Sequence, residues 1–278
     1  MRANRIGRLL AVTVSSLVLL SACTPAPTPT PTPTPTSTHT TPATVDVSFY
    51  WVSSQPTSFR LMAETQPFPD SADVPAAVIA AIVDGSAQPL DPDYVNLWGD
   101  GWSLNSLTIE GTIASVDLTK GRMSVGAEAE SRAIGQIVWT LTQLVPSVTG
   151  VQFLIDGKEV DSIAGHVDTY EPIGRGDPND VLSAVAILTP VEGSTIPLPV
   201  KASGEACVFE ANVSWELMKG EVSIASGSTM ASQACPVRSP WTIELGSLDA
   251  GTYVLFVREL SAKDGSVTSE DSKTFVVE

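Results

Sequence analysis

The chain is poor in positive charge: 15 Lys and Arg stand against 31 Asp and Glu in 278 residues, a formal net charge of −16. Phosphate recognition along nucleic acid needs clustered basic residues, so this balance argues against a nucleic-acid binder. It also argues against adsorption to an anionic membrane surface by charge alone. Two histidines and three cysteines leave little material for a metal centre or for histidine-based catalysis. There is no H-E-x-x-H, no G-x-S-x-G and no Gly-rich phosphate loop before a helix. No cofactor and no metal site are expected, and the chain reads as non-enzymatic, with no catalytic residue assigned. With 43% hydrophobic residues, the composition is otherwise that of a globular protein, and its length suits roughly two domains.

The longest apolar run is short. Leu9 to Leu20 gives 12 residues behind Arg2, Arg5 and Arg8, where a membrane-spanning helix needs about 20. A basic start, a short apolar core and small residues make residues 1–22 a secretory signal peptide. The Leu20-Ser21-Ala22-Cys23 sequence resembles a bacterial lipobox. The resemblance implies cleavage before Cys23, a diacylglycerol thioether on its sulfur, further acylation such as palmitate, and attachment to the outer face of the cytoplasmic membrane. Two chains anchor stably where one is marginal.

Thr24 to Ala43 holds nine Thr and seven Pro in 20 residues. Alternating proline favours polyproline II at about 3.1 Å per residue, so residues 23–43 form a tether reaching about 60 Å. It offers almost no apolar surface to offset chain entropy.

Beyond it, periodicity predicts two folded regions. Val45–Val52 and Ser58–Ala63 read as strands. Asp73–Val83 reads as a helix capped by Asp73 with Pro75 in its first turn. Ser106–Ile109 and Thr112–Leu118 read as strands around a turn at Glu110-Gly111. Ala127–Leu144 carries Ala133, Ile134, Ile137, Val138 and Leu141 at helical spacing, and Val151–Ile155 reads as a buried strand ending at Asp156-Gly157. The order β-β-α-β-β-α-β over 44–160 predicts an α+β domain, one sheet with helices on a face. Residues 161–181 carry Pro172, Gly174, Gly176 and Pro178 and read as an irregular connector. Over 182–278 come short alternating runs: Val185–Leu188, Val208–Phe209, Val213–Leu217, Trp241–Leu245, Thr252–Val257 and Lys273–Val277. They predict an all-β immunoglobulin-like sandwich.

The segments VDVSFYW, VPAAVIAAIVDG, IEGTIASVDLT and AEAESRAIGQIVWTLTQL followed by VTGVQFLIDGKEV resemble the GerM-type (GerMN) domain of sporulation and spore germination proteins. The Pro190-x-x-Gly193 turn, Gly204-x-Ala206 with Phe209-Glu210-Ala211, and Ser261-x-x-Asp264-Gly265 resemble the immunoglobulin-like domain associated with spore germination. The resemblance implies a binding or assembly module in the cell envelope, with an envelope protein or wall component as partner and self-association through the α+β domain as a further option. The alternative it implies is an accessory regulator of a membrane sensor kinase or of a cell-wall enzyme.

Cys207 and Cys235 remain once Cys23 is lipidated. An even pair in an exported chain favours a disulfide, two separate buried thiols being the alternative. In the loop 85–106, Tyr94, Trp98 and Trp102 are candidates for a partner-binding surface, while packing down as a plug is the competing reading. The acids Asp91, Asp93 and Asp100 lack EF-hand spacing and read as turn residues. His166, in the connector, reads as a solvated or capping residue.

Overall fold

The computed structural model describes residues 43–278, and Pro42–Glu278 form one compact unit. Cys23, the signal peptide and nearly all of the tether lie outside the described residues.

The first half opens with a long hairpin. Strands β1 (Thr44–Gln55) and β2 (Ser58–Pro69) pair antiparallel from Thr44↔Pro69 to Gln55↔Ser58, and β3 (Tyr94–Val95) adds to the other edge of β1. Helix α1 (Val74–Val83) begins where Asp73 accepts a hydrogen bond from Ala76 N at 3.1 Å. Strands β4 (Ser103–Glu110) and β5 (Ile113–Thr119) form a second hairpin. Helix α2 (Ala127–Leu144) then carries the chain to β6 (Gly150–Ile155), which runs parallel to β5. A parallel pair needs such a crossover. β6 turns at Asp156-Gly157, both at positive φ (49° and 74°), into β7 (Lys158–Glu159).

The α+β class is that expected from the sequence. In detail the strands form two hydrogen-bonded groups, β2-β1-β3 and β4-β5-β6-β7, rather than one continuous sheet. The reason lies in the segment between β3 and β4. It packs Trp98 and Trp102 edge-to-face at 5.2 Å into the core shared by both groups, with Phe49, Trp51, Ile79, Ile137, Val116 and Phe153.

The segment 161–181 is not a free connector. Buried Glu130 of α2 accepts hydrogen bonds from Ala164 N (2.7 Å), His166 N (2.8 Å) and His166 Nδ1 (3.0 Å). Ile173 bridges to Val151, and a four-residue helix, α3 (Pro178–Val181), starts at an Asp177 cap. Periodicity misses this segment because one carboxylate and a few backbone bonds order it, not an apolar stripe. Burial works against the Glu130 charge, but the bonds from Ala164 and His166 hold its carboxyl below the usual value of 4.5. A carboxyl lowered on folding stabilises the fold above its unfolded value and loses that contribution as pH falls through the folded one. Glu130→Ala should cost about 2 kcal/mol at neutral pH, since it orphans buried donors. The deficit should shrink as pH falls through the folded-state value of Glu130. Amide exchange at Ala164 and His166 is the check: unchanged protection would mean that Glu130 does not hold the segment.

The second half is a β-sandwich. One sheet is β13 (Ser239–Gly246), β10 (Val200–Ala206) and β8 (Val185–Thr189). The other is β12 (Val222–Met230), β11 (Asn212–Lys219), β14 (Gly251–Leu260), β15 (Val267–Val277) and β9 (Ser194–Thr195). Trp241, Tyr253, Leu255, Val257 and Phe275 fill the space between them. Gly204 lies under Trp241: a Cβ there would fall 1.9 Å from Ala186 O and 2.4 Å from the indole.

Val208–Phe209 is not a strand. The strand is β10, which ends at Ala206, and Phe209–Ala211 forms a tight 3-10 turn with Glu210 and Ala211 at φ of 53° and 59°. The chain must leave one sheet and start β11 in the other within a few residues. Cys207, just past β10, is bonded to Cys235 with Cα atoms 4.5 Å apart.

Candidate functional site

Strand β15 alternates strictly, burying Ser269, Asp271, Lys273, Phe275 and Val277. Phe275 and Val277 sit in the sandwich core. Lys273 and Asp271 sit on the same face one and two steps before Phe275, where the first half of the chain covers the sandwich. A lysine 4% exposed needs compensation for its lost hydration. The segment Asp91-Pro92-Asp93-Tyr94 supplies it. Lys273 Nζ donates to Asp91 Oδ2, donates to Tyr94 Oη at 2.6 Å and lies 3.4 Å from Asp271. Tyr94 Oη in turn donates to Asp271 Oδ1 at 2.6 Å, while Ile187 N donates to Asp271 Oδ2 at 2.6 Å. Buried Glu64 steadies the segment from below, accepting from Leu90 N and Asp91 N, both at 2.9 Å, and from Trp51 Nε1 at 3.1 Å.

Two carboxylates thus share one ammonium. Burial pushes Asp271 up to about 6, and Lys273 offsets that only in part. Burial likewise raises Asp91. It works against the charge of Lys273, but Asp271 and Asp91 hold its ammonium above the usual lysine value. Burial first, and then the charges of Asp271 and Asp91, push the Tyr94 hydroxyl well above 10, which keeps it a donor.

Further contacts join the halves around this centre. Gln55 Oε1 at the β1–β2 tip accepts from Glu270 N (2.8 Å) and Ser269 Oγ (3.2 Å), and Ser272 Oγ donates to Asp93 Oδ2 (2.6 Å). On the other side, Ser183 N bonds Leu61 O and Asn179 bonds Pro236 O, while Arg238 holds Ser183 O from within the second half.

Beside the ionic centre a cleft of about 570 Å³ opens between the halves, lined by Ser53, Gln55, Asp93, Phe256, Glu270 and Ser272 among others. Arg258 lies 4.7 Å from the Phe256 ring and pairs with Glu216 and Glu270. Hydroxyls, an amide and carboxylates around one aromatic face can hold a hydrogen-bonding ligand or a cationic side chain.

Of the two readings that the sequence allowed for the loop aromatics, the structure has the inward-packed plug. Tyr94, Trp98 and Trp102 are 4%, 6% and 2% exposed, so they do not form an external binding loop. Trp98 Nε1 donates to Ala133 O at 2.7 Å and Trp102 Nε1 to Arg122 O at 3.2 Å, anchoring both rings in the first core. Tyr94 does reach a partner, namely the second half of its own chain. The acids part company: Asp91 turns to Lys273, Asp93 to Ser272, and Asp100 lies 3.9 Å from Arg122. His166 serves Glu130.

Lys273 and Asp271 are the residues that sequence reading passed over. Their signal was present: two charges in phase with Phe275 and Val277 on an alternating strand can only point inward.

The family model described as sporulation and spore germination (Germane) matches residues 48–161, and that described as the immunoglobulin-like domain of bacterial spore germination (Gmad2) matches residues 184–266. Among solved structures, the first GerMN domain of the sporulation protein GerM from Bacillus subtilis is 21% identical over 48% of this chain and 99% of its own, with a TM-score of 0.41. The tandem GerMN domains of that protein are 18% identical over 74% of this chain and 62% of theirs, at 0.43. A candidate lipoprotein from Clostridium perfringens is 23% identical over 50% of this chain and 93% of its own, at 0.35. A search of the curated proteins returned no match.

Proposed function

Because the chain joins a GerM-type sporulation and spore germination domain to the immunoglobulin-like domain of bacterial spore germination, we propose that it is a lipid-anchored, non-enzymatic binding and assembly module on the outer face of the cytoplasmic membrane. Cys23 carries the lipid, the Thr-Pro stretch is the spacer, and the two domains are presented together. The observation that carries this reading is the buried Lys273–Asp91–Asp271–Tyr94 junction, which makes one surface out of two domains and frames the cleft beside it. No helix among the described residues is long and apolar enough to cross a membrane. The partner is an envelope protein or wall component that contacts both domains at the cleft rim.

In-cell photo-crosslinking tests it. A crosslinker at Ser54 or Asp93, on the rim, should capture one defined envelope component. The same group at Asp249, beyond the opposite end of β14, should not, and Cys23→Ala should abolish capture. Equal capture at all three positions, or cleavage of purified peptidoglycan by the chain, would overturn the proposal.

A further inference from the structure

Basic residues are scarce in this chain, yet four of the six arginines among the described residues gather around α2, the segment 161–181 and the sandwich edge. Arg60 of β2 and Arg132 of α2 both donate to the Asp180 carbonyl oxygen, the latter at 2.9 Å, and Arg132 Nε also donates to Phe59 O at 2.9 Å. Arg175 lies flat against α2. Its guanidinium carbon is 4.8 Å from the Trp139 ring centre, and it donates to Thr142 Oγ1 (2.7 Å) and Gln143 Oε1 (3.0 Å). Arg238 donates to Ser183 O at 2.6 Å and buries an Nε with no partner among the described residues.

None of the four has a carboxylate within ion-pair distance among the described residues, although acids outnumber bases two to one in the chain. Burial, and then the charge of Arg60, push the Arg132 guanidinium below its usual value; Glu128 and Asp180 offset this only in part. Glu128 is itself engaged, accepting from Phe59 N at 3.1 Å. Arg132 and Arg175 are the charged residues lining one cavity of about 80 Å³; Ser131 sits beside them, and the rest of the wall is Trp139, two glycines and aliphatic side chains. That volume admits one tetrahedral oxyanion and little more. Each of the two keeps its Nη1 unengaged by any group among the described residues.

We propose that this arginine-lined cavity between α2 and the segment 161–181 binds a phosphate group. The warrants are charge and geometry. Arg60 and Arg132 lie close enough to disfavour each other's charge, with no carboxylate in ion-pair contact, and an anion beside Arg132 relieves that repulsion. Planar guanidiniums whose Nε and Nη2 are fixed by hydrogen bonds, one of them against an indole face, hold their free Nη1 donors in place for phosphate oxygens. The group arrives either as free inorganic phosphate or on a glycerophospholipid headgroup. The cavity shares no lining residue with the cleft, and its test is independent of the partner proposed above.

Titration calorimetry of the full chain in non-ionic detergent, against chloride at matched ionic strength, reads the binding directly. The probes are inorganic phosphate and glycerophosphoglycerol, the soluble headgroup of phosphatidylglycerol. One-to-one saturable binding is expected, with whichever probe binds more tightly identifying the source. Arg132→Gln and Arg175→Gln should each weaken it about tenfold or more, the scale of a lost charge-assisted bond. The surface control Lys201→Gln should leave it unchanged. If a Gln variant fails to fold, Arg132→Lys and Arg175→Lys keep the charge but lose the fork, and should bind with intermediate affinity. Neither probe binding above the chloride background, or folded Arg132 and Arg175 variants binding like the parent, overturns the assignment.

Discussion

Replacing Lys273 by methionine is expected to destabilise the junction by about 3–5 kcal/mol, the scale for removing one partner of a buried ion pair. Methionine matches the length of the lysine stem, so the loss is one of charge and hydrogen bonds. Asp91 and Asp271 are left facing each other without the ammonium that they share. Urea unfolding followed by tryptophan fluorescence should then split into two transitions, because Trp98 and Trp102 report on the first domain and Trp241 on the second. The pH dependence has a definite sign. Asp271 is raised by burial from 3.8 to about 6. A group raised on folding contributes stability that is present in full below its unfolded value and lost as pH rises through the folded one. Junction stability in the parent chain should therefore fall as pH climbs through about 6. The Lys273→Met deficit should be smaller at pH 5 than at pH 8, because a protonated Asp271 no longer needs the cation. Adding Asp91→Asn and Asp271→Asn to Lys273→Met should recover most of the loss, since coupled residues are non-additive. A deficit that ignores both pH and the two Asn substitutions would mean that Lys273 acts by packing alone.

Why the strands and helices were legible while the junction was not follows from what each depends on. α2 spans Ala127–Leu144 as its apolar spacing predicts, because burial of Ala133, Ile134, Ile137, Val138 and Leu141 on one face stabilises it whatever lies beyond. The Asp73 cap and the Asp156-Gly157 turn are equally local. β12 escaped notice because it is an edge strand with exposed Ser223, Ser226 and Ser228, and alternation does not persist beyond Val222-Ser223-Ile224. β10 escaped because Gly204 and Ala206 carry too little side chain to look like a strand, and only Trp241 lying over Gly204 explains them. The loop aromatics divide in the same way. That Trp98 and Trp102 matter was visible, but whether they face out or in depended on Ala133 O and Arg122 O as acceptors, and no pattern in the loop encodes those distant groups. The junction rests on pairs up to 215 residues apart. Periodicity can say that Asp271 and Lys273 point inward, but not that Asp91 and Tyr94 meet them there.

Loss of the Cys207–Cys235 bond is expected to be the second large effect. The bond closes a loop with a sequence separation of 28, which corresponds to roughly 3.5 kcal/mol in the chain-entropy account. For a sandwich of about a hundred residues that lowers the melting temperature by about 15 °C. The position of the bond adds a second consequence. The chain that it pins at Cys235 runs straight on to Pro236, whose carbonyl accepts from Asn179, and Arg238, which bonds Ser183 O. These contacts hold the sandwich edge against the segment leading out of the first domain. Cys207→Ala with Cys235→Ala should therefore lower the sandwich transition and weaken the junction on the Arg238 side, leaving the Lys273 side in place. Amide exchange separates the two: protection should fall at Ser183, Leu182 and Cys235 and persist at Glu270 and Ile187, which are held by Gln55 and Asp271. Calorimetry of the oxidised parent and the double variant checks the size of the effect. A shift of only a degree or two would show that the loop is ordered by its own hydrogen bonds, such as Cys235 N to Val208 O and Gln233 N to Ser239 Oγ, rather than by the bridge.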